Sequence, residues 1–341
     1  MALKRILQPK VRLSSTDAGK GPRKRVRLSA AHNEWNHLAV ALVAMEKGFF
    51  EEEGLTDVEL ISFDEETDQL IDREELQVDL VAQGVVDVAI DPRATFVLEA
   101  KEQKRPVCVV AARRLTHAFI LIGQKGLKDI HELRGSSLDM GQRGGATDVM
   151  MRQVLKDHGL EPDRDVKFTY SGGPMHDLAH HAKAFREGKR GPASLTTARE
   201  LEKFLAEGYP VLADLRKLYP PRHDRITAAN EDFCREHPEM LKAVLKGLIR
   251  GCRFVLKMDK EWFTQFIKEC GFLATEREVD SYEPLFTAWE GRISPDLSLP
   301  MEGIELIVDE QKRAGRLAPS FKANDVLRLE ELKKAQLELG A

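Results

Sequence analysis

The chemistry in this sequence is concentrated in five short polar stretches, each lodged between apolar runs. The first, His32-Asn33-Glu34-Trp35-Asn36-His37, combines imidazole and amide groups with the flat face of Trp35, the mixture expected of a small-molecule pocket. In the second, Asp91-Pro92-Arg93-Ala94-Thr95, Arg93 can grip a carboxylate or sulfonate through two parallel N–H groups. The third runs Arg143-Gly144-Gly145-Ala146-Thr147 into a helix, so its backbone N–H groups and the positive dipole end can receive an anion. Glycines at that point let the backbone approach a ligand closely. The fourth, Ser171 to Asp177, repeats the same logic with Gly173 and His176. The fifth, Arg222-His223-Asp224-Arg225, sets an imidazole among an acid and two guanidiniums, suited to a tuned acid/base or an anion clamp. Salt-bridged structure uses the same residues, and the reading adopted is structural or ligand-binding. Were the chain an enzyme, His37, His176 and His223 would be its bases.

Several chemistries are disfavoured. No Gly-Lys-Ser/Thr follows the third stretch, so it is no P-loop. His180 and His181 are adjacent, which on a helix points them about 100° apart and makes a poor metal pair. Cys108, Cys234, Cys252 and Cys270 lack CxxC spacing, and Cys108 lies in an apolar run where a buried thiol is expected. No metal, no cofactor and no disulfide framework are expected.

The elements that must carry these stretches can be read from periodicity. Lys24 to Ala31 alternates as a strand, and Leu38, Ala41, Leu42, Met45 and Phe49 mark one face of a helix. Gly48 breaks that pattern, where a left-handed residue closes the helix. Strands follow at Val58 to Phe63, Val85 to Ile90 (ended by Asp91-Pro92) and Pro106 to Ala112, with a helix over Ala94 to Lys101. A further set has strands at 119–123, 136–140, 166–170 and 210–215, a helix bearing Val149, Met150, Val154 and Leu155, and another at 178–185. After "YPPRHDRITAAN" the chain reads as mostly helical, with a helix over Glu231 to Leu256 and others at 260–272, 276–291, 301–315 and 324–338. Alternating strands and helices predict an α/β fold with a largely parallel sheet covered on both faces.

A chain of 341 residues suits two domains. At 42% hydrophobic, 32% charged and net −4, it generates no field that would draw nucleic acid. Residues 1–24 form a basic segment with Asp17 as its single acid, expected to be a disordered tail. It lacks the apolar run of a secretory signal, so the sequence as it stands predicts the cytoplasm; an organellar leader is the alternative. No stretch approaches a membrane span.

"AVALVAMEKGFFEEEGLTDVEL", "QGVVDVAI", "IHELRGSSLDM" and "FCREHPEMLKAVLKGLIRG" together, and in order, resemble the nitrate, sulfonate, taurine and thiamine-precursor substrate-binding proteins of ABC transporters. The resemblance covers roughly residues 25 to 260. It implies a type II periplasmic-binding fold: two lobes joined by two crossover strands, with a helical C-terminal region. Lobe one would comprise 25–113 plus 225–341 and lobe two 114–224. It further implies a small anionic or zwitterionic ligand trapped by hinge closure, an ABC-transporter permease as partner, a periplasmic setting, and a monomer or dimer. Thiamine-pyrimidine synthases in the same superfamily carry Lys and His after the "G.vD" strand and a cysteine-rich run later. Asp91 to Thr95 and the single Cys234 do not match that pattern. The catalytic cysteine of the related desulfinases is absent too, because no cysteine precedes Cys108.

Overall fold

The computed structural model describes residues 6–7, 25–30, 35–62, 73–113, 119–140, 146–170, 178–219, 222–223, 225–259, 261–262, 265–266 and 293–340. The chain divides into two compact units: Met1–Leu115, Pro221–Asp280 and Trp289–Ala341 make unit 1, and Thr116–Pro220 with Ser281–Ala288 make unit 2.

Unit 1 starts with a two-residue strand β1 (Ile6–Leu7), then β2 (Arg25–Ala30), whose alternation buries Val26, Leu28 and Ala30. The rest of the basic segment lies outside the described residues. Helix α1 (Trp35–Glu46) ends near Gly48, which has φ +72° as expected. The chain then makes a further turn, α2 (Phe49–Glu52), which buries Phe50. The expected single apolar stripe on α1 is in fact a helix buried all round from Ala39 to Met45. It is covered by both the sheet and a later helix. Strand β3 (Asp57–Ser62) follows, then helix α3 (Arg73–Ala82).

The sequence reading did not contain α3. Its core face is punctuated by Gln77, which is fully buried and donates through Nε2 to the carbonyls of Ser29 (2.9 Å) and Ile90 (3.0 Å). A polar residue at a core position hides the apolar period. Strand β4 (Val88–Arg93), helix α4 (Ala94–Glu102) and strand β5 (Val107–Ala112) complete this passage. Strand β4 does not stop at Asp91-Pro92 as expected. It runs through them, because Asp91 takes a left-handed φ of +66° at a bulge.

In unit 2, β6 (Phe119–Gly123) is the centre of a three-stranded antiparallel sheet, and β7 (Ser137–Asp139) pairs in parallel with a later strand. Helix α5 (Ala146–Asp157) turns Met150, Met151, Val154 and Leu155 inward, with Met151 in the place expected for Val149. Next come β8 (Lys167–Thr169), α6 (Leu178–Arg186), β9 (Ala193–Thr197), α7 (Ala198–Ala206), β10 (Val211–Asp214) and the short α8 (Leu215–Leu218). The β9–α7 pair was not read from the sequence. Strand order is β10-β6-β9, with β7 and β8 forming a separate pair. Phe185, Phe204 and Tyr209 meet edge-on or tilted at centroid distances of 5.3 to 5.8 Å and form one of the unit's apolar clusters.

The chain re-enters unit 1 as strand β11 (Arg225–Asn230). The periodicity predicts no strand there, yet "RITAAN" lies between β4 and β5 and is antiparallel to both. The six-stranded order is β1-β3-β2-β4-β11-β5, largely parallel as expected, with β11 alone running against the other strands. The Asn230 side chain accepts from the N–H groups of Asp232 (2.9 Å) and Phe233 (3.1 Å), capping α9 (Glu231–Glu236). Pro238 opens α10 (Pro238–Val255), splitting the single helix that had been predicted. Helices α11 (Met301–Arg313) and α12 (Glu330–Glu338) close the unit; the helices expected at 260–272 and 276–291 fall largely outside the described residues. The N–H of Val109 donates to Val326 O and that of Ala112 to Leu297 O, so edge strand β5 is covered by C-terminal chain.

Helix α10 lies against α1 and α2 through two glycines. A Cβ on Gly251 would sit 2.6 Å from the Val40 carbonyl, and one on Gly247 would overlap the Phe50 ring. Alanine normally favours a helix by about 1 kcal/mol over glycine, but overpacking a core costs about 1–3 kcal/mol. Gly251→Ala is therefore expected to lower the unfolding free energy by about 1–2 kcal/mol in urea titration; a gain would show that α1 and α10 do not approach this closely.

Candidate functional site

Strands β2, β4 and β5 run in the same direction, so their carboxyl ends gather at one end of the unit 1 sheet. Antiparallel β11 begins at that same end, and Arg225 stands in register with Arg93. Open α/β sheets bind ligands beyond their strand ends. Here that end carries Asp91, Arg93, Arg113 and Arg225, with the first turn of α4 starting at Ala94.

A buried ion pair organises the group. Asp91 and Arg113 are each about 1% exposed. The Arg113 guanidinium donates from Nε to Asp91 Oδ1 at 3.2 Å and from its terminal nitrogen to Oδ2, a bidentate arrangement. Arg225 adds an N–H to the Asp91 carbonyl at 3.2 Å. Left-handed φ is tolerated better by Asp than by most residues, which suits Asp91 to the bulge. Beside the pair, α10 contributes Cys252, whose thiol burial pushes up to about 12.

The second helix start at this end belongs to α1, with its polar loop. His32 and Asn33 lie outside the described residues, and of Trp35, Asn36 and His37 only the helical backbone is described. Arg93 and Thr95 are half-buried, at the N-cap and in the first turn of α4. Arg222 and His223 were expected to line the same site. Arg222 is buried and pairs with Glu310 of α11, and the His223 ring, fully buried, meets the Pro300 carbonyl at 3.0 Å through Nε2. His223 thus holds the returning chain against the start of α11, and Arg222 holds it against that helix's last turn.

Within unit 2, Arg143, Gly144, Gly145, Gly173 and His176 lie outside the described residues, and only the backbone of Ala146 and Thr147 is described, at the start of α5. The first turn of α5 already holds a carboxylate. Asp148 is buried and accepts from Arg152 Nε (2.9 Å) and the Tyr170 hydroxyl (3.0 Å). Burial raises the Tyr170 phenol above its ordinary range. At the end of β7, Arg190 donates to the Asp139 carbonyl at 2.9 Å, and its burial lowers the guanidinium's affinity for its proton.

Sequence reasoning missed Arg113, Arg225 as a strand-end partner, and Gln77. An arginine directly after the apolar run "VCVVAA" was the available signal for Arg113. A cavity of about 230 Å³ sits at the opposite end of the same sheet, lined by Gly84, Asp87, Asn230, Asp232, Glu236 and His237. None of the predicted residues reaches it, and its acidic lining disfavours an anion.

The two α/β units have the type II periplasmic-binding fold. The chain belongs to the NMT1/THI5-like family, whose profile matches residues 35–261. Among solved structures, it superposes on the periplasmic aliphatic sulphonate-binding protein SsuA of Escherichia coli with a TM-score of 0.64 at 14% identity, over 90% of this chain and 92% of that one. The periplasmic nitrate-binding protein NrtA of Synechocystis PCC 6803 gives 0.62 at 16%, over 93% and 89%. The desulfurization enzyme DSZB gives 0.63 at 11%, over 93% and 100%. No curated protein is matched by sequence. Among the described residues, no helix is long and apolar enough to cross a membrane.

Removing one member of a buried ion pair strands the other charge, at a cost of about 3–5 kcal/mol. Arg113→Met should lose that much stability, and adding Asp91→Asn, which leaves no stranded charge, should restore part of it; equal loss in both would mean that the pair does not govern this region. A separate test uses pH. The Cys252 thiol stays protonated when folded up to about 12, against an ordinary value of 9.0, so the folded state binds more protons between those values. Stability from this group is full below pH 9 and falls as pH rises towards 12, by up to about 1.4 kcal/mol per pH unit. Cys252→Val should flatten the alkaline limb of the stability curve relative to the parent; superimposable curves would refute the assignment.

Proposed function

We propose that this protein is a substrate-binding receptor that captures a small anionic or zwitterionic solute between its two units, buries it by hinge closure and delivers it to an ABC-transporter permease. The observation that carries this reading is the register of Arg93 with Arg225 at the carboxyl end of β4, beside the N-terminus of α4. Two guanidiniums at one strand end offer N–H donors in the planar geometry that suits a carboxylate, sulfonate or nitrate. A helix start adds N–H groups and positive potential. The sulfonate- and nitrate-binding proteins that share the fold bind anions of this kind. In this reading, His32, Asn33, Trp35, Asn36 and His37 line the ligand from unit 1, and Arg143 to Thr147 with Gly173 and His176 close on it from unit 2.

A second reading is an enzyme on the same scaffold, favoured by the likeness to DSZB. It would act on a small organic acid as a lyase or hydrolase, with a histidine as base.

One experiment separates them: thermal unfolding of the purified chain with nitrate, alkanesulfonates, small carboxylates and pyrimidines, with mass spectrometry of each mixture. A receptor ligand at about 100 times its Kd should raise the midpoint by roughly 4 °C and come back with its mass unchanged. Arg93→Ala should abolish the shift. A new mass that disappears in His37→Ala or His176→Ala would replace the receptor by the enzyme.

A further inference from the structure

Cys108 and Cys234 are 126 positions apart in sequence, and no spacing motif links them, yet their Sγ atoms lie 3.5 Å apart. Cys108 stands on β5 with no exposed surface, its Sγ also 3.5 Å from the Ala229 carbonyl of β11. Cys234 stands on the short helix α9 and is half-buried. An S–S bond is about 2.0 Å long, so bonding requires the two sulfurs to approach by about 1.5 Å. The surroundings hold both partners in place. The Asn230 cap fixes the start of α9, and the Glu231 carboxylate is clasped by Lys101 (2.6 Å) and Arg328 (3.2 Å).

We propose that Cys108 and Cys234 are a disulfide-forming pair, oxidised by thiol–disulfide exchange with a small disulfide or the disulfide of an oxidase protein. The accessible partner reacts first. The Cys234 thiol gives its proton to solvent, and its thiolate attacks one sulfur of the carrier disulfide. An S–S bond forms to Cys234 as the carrier's S–S bond breaks, releasing one carrier thiolate, which takes up a proton. Cys108 then loses its proton and attacks Cys234 Sγ, forming the internal bond and expelling the second carrier thiolate. Two protein thiols are oxidised and one carrier disulfide is reduced to two thiols, so electrons and protons balance.

The order of attack follows from the site. The hydrogen bond with Cys234, then burial, hold the Cys108 thiol well above its ordinary range, and no surface of it is open to a carrier. Cys252 is also buried, on α10. The bond would tie β5, which precedes unit 2 in the chain, to α9, which follows it. The closed covalent loop would then contain every residue from Thr116 to Pro220. Disulfides that close loops of this length reduce the freedom of the unfolded chain the most in the chain-entropy account.

The full-length chain incubated with glutathione disulfide, then alkylated and digested without reductant, tests this. Expected are a linked peptide pair containing Cys108 and Cys234, a fall from four titratable thiols to two, and an unfolding midpoint raised by about 5–10 °C and restored by dithiothreitol. Cys234→Ser should show neither link nor shift. Cys108→Val, which keeps a small apolar group in the core, should stop with one glutathione on Cys234. Should that variant fail to fold, the parent and Cys234→Ser still decide. Four thiols persisting in the folded parent, a parent that halts at the mixed disulfide, or a link between any other pair would overturn the proposal.

Discussion

The buried contact between Asp91 and Arg113 fixes the end of the unit 1 sheet. Two charges nine-tenths or more removed from water survive only if each is the other's partner in good geometry. Meeting that condition makes β4 carry on through a proline to Arg93, with Asp91 in the left-handed region at the bulge. It also brings Arg113, just past the end of β5, to Asp91 near the end of β4, with β11 alone between the two strands. The register of Arg225 with Arg93 follows from the bulge, and with it the cationic strand end on which the receptor reading rests.

Strand β11 is the second consequence. It crosses the sheet against the direction of its neighbours because the chain returns from unit 2 at the carboxyl end, not after a covering helix. A returning strand has to be anchored at both ends. At its start, Arg222 pairs with Glu310 and His223 meets Pro300 O; at its end, Asn230 caps α9 and also donates to the Val81 carbonyl at 2.8 Å. These polar groups are buried and partnered, which is why residues that look reactive in sequence do structural work here.

The two ends of the sheet differ in charge. Arginines collect where β4 ends, and Asp87, Asp232 and Glu236 where it begins, at the cavity. A chain with net charge −4 therefore carries a local positive end that its overall composition does not reveal.

Much of the fold was legible because it is local. The residues from Trp35 to Gly48 announce a helix and its stop, and Asn230 and His237-Pro238 announce two helix starts; each signal acts within one turn of chain. The order of four weak motifs was enough to identify the family and, through it, the two-lobed fold. The sequence could not show α3, whose buried Gln77 serves the carbonyls of two strands and so interrupts its own apolar period. Nor could it show that "RITAAN" is a central strand, that Arg113 belongs to Asp91, or that Cys108 meets Cys234, since those pairings span 22 to 134 residues of chain. Local patterns specify helices and strands because dihedral preferences and caps act on near neighbours. Pairing of buried charges, strand order and thiol contact are decided only when distant segments compete for the same space.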